Sequence, residues 1–221
     1  MNALRSSIGK KALMAVSGLV LLGFVIGHLL GNLTIFGGPD LLNAYAHKLD
    51  GLKPLVWAMR VVLLAAVAVH SWTSIMVSRE NRAARPQAYE MKRTRETTAA
   101  AQLMLVTGLL VLAYLVYHLL HFTARVTNPD LSHSLDALGR RDVYAMVVRS
   151  FQIPGIAAAY LVGMTAVWFH LMHGIGSAFQ TLGLNNDRTL AAMRLGSRII
   201  ALILYLGYIS IPMAVMFGLI K

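Results

Sequence analysis

The 221-residue sequence contains no cysteine, and only nine of its residues are acidic. The absence of thiols excludes disulfides, thiolate zinc sites, iron–sulfur clusters and covalently attached haem c from this chain. Charged residues make up 13% of the chain and apolar residues 57%, whereas soluble globular domains average about 25% and 45–50%. An ordinary soluble domain is therefore excluded, and any redox centre would depend on the eight histidines.

Lysine and arginine exceed aspartate and glutamate by 20 to 9. Such an excess can indicate nucleic-acid binding, but here the charges lie between long apolar runs, so we expect a lipid partner and no nucleic acid. Because each run is continuous and only helices or closed barrels span lipid, helices are predicted. The sequence predicts an all-α membrane protein with a single domain, 1–221, and five membrane helices at 12–36, 55–78, 100–123, 153–179 and 199–220.

The distribution of basic residues predicts the orientation. Twelve lysines and arginines fall on the side that carries the N-terminus and eight on the other, which favours a cytoplasmic N-terminus. A cleaved signal peptide is disfavoured because the first apolar run exceeds the usual 7–15 residues. The loops at 37–54 and 124–152 are then external, and the charged loop at 79–98 is cytoplasmic. We expect interfacial helices at 39–52, with His47 and Asp50 on its polar face, and within 130–150.

Four of the five predicted membrane helices contain histidine. A single buried histidine is most often a hydrogen-bonded core residue, but ionisable residues inside membrane helices are costly and usually functional. The six residues are His28, His70, His118, His121, His170 and His173.

The depths of these histidines agree in pairs. His28 and His118 lie in the external halves of their helices, and His70 and His170 lie in the cytoplasmic halves. At 1.5 Å per residue, the two levels differ by about 12 Å. The sequence therefore predicts two histidine pairs, one above the other, although spacing alone leaves His121 and His173 as alternative partners.

Two neutral imidazoles at each level favour haem b. A bare metal cation would need anionic ligands, and the predicted helices contain no carboxylate, whereas haem brings its own anionic macrocycle and takes two axial histidines. Small residues next to the ligands would admit a flat macrocycle, although they also pack membrane helices. These are Gly23, Gly27, Gly31, Gly163 and Gly174. Arg60, Arg125 and Arg149 externally, and Ser17, Arg194 and Arg198 on the cytoplasmic side, are candidate donors to the propionates, or residues that snorkel to the membrane edge.

Four segments carry a family resemblance: KKALMAVSG at 10–18, GHLLGN at 27–32, NAYAH at 43–47, and the stretch 170–183 ending in AFQTLG. On these segments the chain resembles the five-helix, di-haem cytochrome b558-type membrane anchor of succinate:quinone oxidoreductases, helix for helix. The resemblance implies that His28 and His118 ligate the distal haem iron, and His70 and His170 the proximal one. It selects His170 over His173 because the family histidine precedes the glycine matching Gly183 by thirteen residues.

The resemblance also implies the role of the chain within an enzyme. In that family the flavoprotein subunit oxidises succinate, the iron–sulfur subunit passes electrons on, and both dock on the cytoplasmic face of the anchor. The resemblance therefore implies a location in a bacterial inner membrane. This chain would carry electrons through its two haems to a quinone, expected to be menaquinone. Ser17, Gly27, Gly31, Arg60 and Arg149 are the further expected haem contacts. Some relatives have an acidic residue near the haems for proton handling, but Trp168 stands at that position here, so we do not expect such a proton path. His47 and Asp50 are candidate proton-exchanging groups for the quinone, or ordinary residues of a solvated helix face.

Two other classes of function compete with this reading. A cytochrome b subunit of a hydrogenase or a formate dehydrogenase would share the histidine pattern but not the four segments. A haem-free transporter would use the histidines as a proton relay, but the sequence lacks the inverted repeats and interrupted helices typical of transporters.

Overall fold

The computed structural model describes residues 6–84, 102–186 and 188–221. Most of the predicted cytoplasmic loop at 79–98 lies outside these ranges. The described residues form eight α-helices, namely α1 (Ser7–Asn32), α2 (Pro39–Gly51), α3 (Lys53–Ala83), α4 (Met104–His118), α5 (Pro129–Ser132), α6 (Val143–Phe151), α7 (Pro154–Thr181) and α8 (Leu190–Met216). Helix α1 continues into a 3₁₀ turn, Leu33–Gly37, and α4 into a π-helical turn, Leu119–Thr123.

Five of these helices, α1, α3, α4 with its π turn, α7 and α8, are long and apolar enough to cross a membrane. The predicted all-α membrane fold and its five helices are therefore confirmed. Local signals set the ends: Ser6 caps α1 by accepting a hydrogen bond from the Gly9 N–H at 3.0 Å, and prolines occupy the first turns of α2, α3 and α7, where a missing N–H costs nothing. Helix α8 begins nine residues before the predicted 199, because helix continues beyond the apolar run.

Four of the membrane helices form a square bundle. Helices α1 and α4 each pack against both α3 and α7. Helix α1 is therefore diagonal to α4, and α3 is diagonal to α7. Helix α8 packs along α7 outside the square and also touches α1.

Large apolar side chains cover much of the outside of the bundle, as a lipid-facing surface requires. Leu55, Val61, Leu109, Val162 and Ile203 are all more than half exposed. The buried core lies at the end of the bundle opposite the N-terminus, where Phe151, Tyr160 and Ile211 pack together.

A cap of helix and loop covers the end opposite the N-terminus. Asn43 of α2 is buried and donates to Asp136 at 3.3 Å and to Asp142 at 3.1 Å, and its side-chain oxygen accepts the N–H of Tyr144 at 3.0 Å. Arg140 binds Asp136 at 2.8 Å. The predicted helix at 39–52 is thus confirmed as α2, which this network ties to the loop before α6.

The stretch 130–150, where we expect interfacial helix, is helical only at its two ends. It contains the short α5, then a loop closed by one β-bridge between Leu135 and Arg141, and then α6. Asp136 interrupts the helix because its carboxylate accepts the backbone N–H groups of Leu138 and Arg140, each at 2.9 Å, as in an aspartate-stabilised turn. Gly139, with φ of +72°, completes the turn.

Candidate functional site

The candidate site consists of two pairs of facing histidines. His28 of α1 faces His118 of α4, with ring centroids 5.9 Å apart and an interplanar angle of 82°. His70 of α3 faces His170 of α7, with centroids 6.1 Å apart and an angle of 73°. Each pair spans one diagonal of the square bundle, so the structure brings together the partners that helix depth predicts.

The two pairs lie at different levels. A Cβ at Gly18 of α1 would lie 3.1 Å from the His70 ring, and one at Gly108 of α4 would lie 3.3 Å from the His170 ring. These glycines precede His28 and His118 by ten residues each, which corresponds to about 15 Å of helix. The separation agrees with the 12 Å expected from the sequence to within about two residues of helix rise.

The spacing within each pair suits one metal ion between the rings. An imidazole nitrogen binds a metal at about 2.0–2.1 Å and lies about 1.1 Å from its ring centroid, so opposed rings would have centroids about 6.3 Å apart. The observed 5.9 Å and 6.1 Å lie within a few tenths of an ångström of that value. Both pairs therefore have the ring spacing expected for two histidine ligands of one metal ion.

Hydrogen bonds fix the proton on the far side of both rings in the His70–His170 pair. The Nδ1 of His70 lies 3.0 Å from the Met14 carbonyl, which only accepts, so Nδ1 carries the hydrogen. The Nδ1 of His170 lies 3.3 Å from the Thr107 hydroxyl, which itself donates to the Leu103 carbonyl at 3.0 Å. In each ring the lone pair is then on Nε2, which is the arrangement typical of metal-bound histidine.

The structure distinguishes His118 from His121. His121 is fully buried, its Nδ1 lies 2.9 Å from the Tyr160 hydroxyl, and its Nε2 lies 3.2 Å from the Ser150 hydroxyl. Both nitrogens are therefore engaged within the protein. On α7, His170 rather than His173 faces His70.

The predicted small and hydroxyl residues of α1 occupy three different environments. Ser17 is buried, its hydroxyl donates to the Leu13 carbonyl at 2.7 Å, and it lies 3.5 Å from His70 Nδ1, beside the ring. Gly27 faces open space. A Cβ at Gly31 would lie 2.6 Å from the Tyr45 hydroxyl, so the glycine is needed for Tyr45 of α2 to pack closely against α1.

The predicted propionate donors are mostly exposed. Arg60 lies over the Trp57 ring at 4.9 Å, Arg149 is in the last turn of α6, and Arg194 and Arg198 are exposed near the start of α8. Arg125 is partly buried, and its guanidinium donates to the Ser132 carbonyl at 3.1 Å.

The two candidate proton-exchanging groups are both on α2. His47 is exposed, whereas Asp50 forms an ion pair with Arg141 of the cap. Asp50 therefore contributes to holding the cap in place.

Sequence reasoning missed the residues that support the rings. Gly18, Gly108 and Thr107 carry a readable signal, since a hydroxyl–glycine dipeptide, Ser17-Gly18 or Thr107-Gly108, precedes a histidine by ten residues on both α1 and α4. The two diagonal helices thus present the same pattern, a small hydroxylated turn at one level and a histidine at the other. Tyr160 carries no such signal, because its role depends on contacts with α4.

An open groove of about 510 Å³ runs between α4 and α7 near the His28–His118 level. Its lining is apolar, with Tyr114 and Tyr117 on one side and small residues such as Ala159 and Gly163 on the other. The Tyr114 ring lies 6.0 Å from the His118 ring, so the groove adjoins the site.

Comparisons of the chain with models of protein families, with curated proteins and with solved structures found no match. Any functional assignment therefore depends on the geometry of the two histidine pairs and on the sequence itself.

Proposed function

We propose that this chain is the di-haem b membrane-anchor subunit of a succinate:quinone oxidoreductase. The observation that carries the proposal is the pair of diagonal contacts, His28 with His118 and His70 with His170, inside a bundle of helices able to span a membrane. Each pair would hold one haem iron.

The donor set fits haem better than a bare ion. Each site offers two neutral imidazoles, and within the described ranges no group of three or more His, Cys, Asp or Glu residues could hold a metal ion. Zinc and similar ions take three or four protein ligands, whereas haem iron needs only the two axial ones. Bound haem b would supply one-electron transfer between an iron–sulfur subunit and a quinone.

The protein's own contribution is to orient the ligands. Met14 and Thr107 hold the Nδ1 atoms of His70 and His170, which fixes the ring planes and raises the basicity of Nε2. Gly18 and Gly108 leave room for those rings against the facing helices. Because the two levels are about 15 Å apart, one site would lie toward each side of the membrane.

The partner subunits follow from the resemblance of the four sequence segments and from the composition. This chain has neither cysteines to ligate iron–sulfur clusters nor a glycine-rich dinucleotide-binding motif, so clusters and flavin would belong to separate subunits. Those subunits would dock on the side that carries the N-terminus, at the His70–His170 level, and that side would be the cytoplasmic face of a bacterial inner membrane.

The groove between α4 and α7 is where we place the quinone. Its volume lies in the range of small-molecule sites, about 300–1,000 Å³, and its apolar lining suits an isoprenoid quinone. Because Tyr114 contacts both the groove and the His118 ring, the quinone would lie next to the His28–His118 site. His47 and Asp50 stay the predicted candidates for proton exchange with the quinone.

The proton-relay alternative explains fewer of the contacts. A histidine proton relay needs imidazoles that can reorient, whereas His70 and His170 have Nδ1 hydrogens committed to Met14 and Thr107. A cytochrome b of a hydrogenase or formate dehydrogenase would use the same pairs, but the four resembling segments favour the succinate-oxidising complex.

Spectroscopy and co-purification test the proposal. The purified protein should show b-type reduced-minus-oxidised bands with two haems per polypeptide, and a colourless preparation would refute it. The intact complex should contain a flavoprotein and a cysteine-rich subunit and should reduce quinone with succinate. Co-purification with hydrogenase or formate dehydrogenase subunits instead would favour the alternative cytochrome.

A further inference from the structure

A chain of hydrogen bonds leads from His118 away from the histidine pair. His118 Nδ1 lies 3.4 Å from the Tyr160 hydroxyl, which lies 2.9 Å from His121 Nδ1. His121 Nε2 lies 3.2 Å from the Ser150 hydroxyl, and that hydroxyl donates to the Met146 carbonyl at 2.7 Å. Tyr160, His121, Ser150 and Met146 are all buried.

The direction of every bond follows from its last acceptor. Since Ser150 gives its only hydrogen to the Met146 carbonyl, its oxygen accepts from Nε2–H of His121. A neutral His121 then accepts at Nδ1, so the Tyr160 hydroxyl donates to it. The Tyr160 oxygen in turn accepts from Nδ1–H of His118, which leaves the lone pair of His118 on Nε2.

We propose that Tyr160, His121 and Ser150 are positioning residues that fix the tautomer of His118, so that its Nε2 is always ready to bind iron. The inference rests on the proposed haem at the His28–His118 site. In this proposal His121 sets the direction of the hydrogen bonds between His118 and Ser150 and does not ligate a metal. Because this series of hydrogen bonds ends at the buried backbone carbonyl of Met146, it orients His118 and offers no route for a proton to the surface.

The polarity also tunes the electron donation of His118. A hydrogen bond from Nδ1–H raises the basicity of the ligating nitrogen, and Tyr160 is a stronger acceptor because it donates onward to His121. A more basic ligand stabilises ferric iron. Removing the acceptor should therefore shift the midpoint potential of this haem upward and leave the other haem unchanged.

Tyr160→Phe is the first test, measured by redox titration of both haems in the purified complex. We expect two haems, an upward shift at the His28–His118 site, and no shift at the other. Tyr208→Phe is the matched control, because the Tyr208 ring also lies beside this site, 6.3 Å from the His28 ring, while its hydroxyl donates to the Val25 carbonyl and not to a histidine. If Tyr160→Phe does not assemble, Ser150→Ala should give a smaller shift in the same direction.

His121→Leu separates polarity from packing. Without its acceptor, the Tyr160 hydroxyl is free to donate to His118 Nδ1, which would favour the tautomer that cannot ligate iron. We expect His121→Leu to lower haem content at this site, and the double variant His121→Leu/Tyr160→Phe to recover it.

The inference would be overturned if the double variant bound no more haem than His121→Leu, or if Tyr160→Phe or Ser150→Ala left the potentials unchanged. In either case, a wild-type protein with two haems would still support the proposed function. A wild-type protein without b haems would overturn both.

Discussion

Gly18 of α1 should be essential for the geometry of the His70–His170 pair. An alanine there would place its Cβ 3.1 Å from Cε1 and 3.3 Å from Nδ1 of His70. Carbon contacts are optimal at about 3.5–4.0 Å, so the ring would have to retreat from α1 by about 0.4 Å or more. Met14 lies one turn away on the same helix, and its 3.0 Å hydrogen bond to Nδ1 would lengthen as the ring moves.

The expected cost follows from overpacking and from the weakened bond. Overpacking a well-filled site typically costs about 1–3 kcal/mol, which corresponds to a roughly 5- to 150-fold loss of haem affinity at this site. The effect on overall stability should be smaller, because alanine in a helix interior is favoured over glycine by about 1 kcal/mol.

Haem retention is the appropriate assay for Gly18→Ala. The purified variant is incubated with a haem-accepting protein, and the two b haems are followed by reduced-minus-oxidised spectra. One haem should be lost much faster than in the wild type and the other at the wild-type rate. Gly196→Ala is the control, since no atom lies within 4 Å of its Cβ position on α8. Equal haem retention in the two variants would refute the role assigned to Gly18.

Three further predictions follow from the site and the cap. His70→Ala should reduce the haem content from two to one per polypeptide, and His28→Ala should remove the other haem. The midpoint potential of the remaining haem will show which of the two each variant has lost. His173→Ala should keep both haems, and loss of the haem at His70 would show that His173 is the ligand. Burial acts to raise the pKa of Asp136, but hydrogen bonds from the backbone and side chain of Arg140 hold that pKa below its ordinary value. The stabilisation is therefore present above the unfolded carboxyl pKa and is lost as pH falls through the lower folded value, so acid should lower the Tm of the wild type more than that of Asp136→Asn.

The helices and the levels of the histidines could be predicted from the sequence because both depend on regular quantities. A helix rises by 1.5 Å per residue, so counting residues places His28 with His118 and His70 with His170. The same counting could not choose between His118 and His121. That choice depends on Tyr160 and Ser150, which lie 39 and 29 residues beyond His121 in the chain and reach it only after the bundle forms.

The cap shows where periodicity is insufficient. The apolar pattern at 39–52 predicts α2 correctly because Pro39 begins the helix and Leu42 packs against the bundle. The stretch 130–150 is divided by Asp136, whose carboxylate binds local backbone N–H groups that a helix would otherwise use.

The residues that support the histidine rings could be predicted from the sequence only in part. Met14 contributes only its backbone carbonyl to His70, so its side chain carries no signal. Ser17-Gly18 and Thr107-Gly108, by contrast, occupy equivalent positions ten residues before a histidine, and this repetition is visible in the sequence alone.

The most direct test is to measure the haem-to-polypeptide ratio in the wild type and in a His28→Ala/His70→Ala double variant. If each histidine pair binds one haem b, the ratio is two in the wild type and zero in a double variant that still inserts into the membrane. A haem-free wild type, or b haem retained in the double variant, would show that these pairs do not hold the iron.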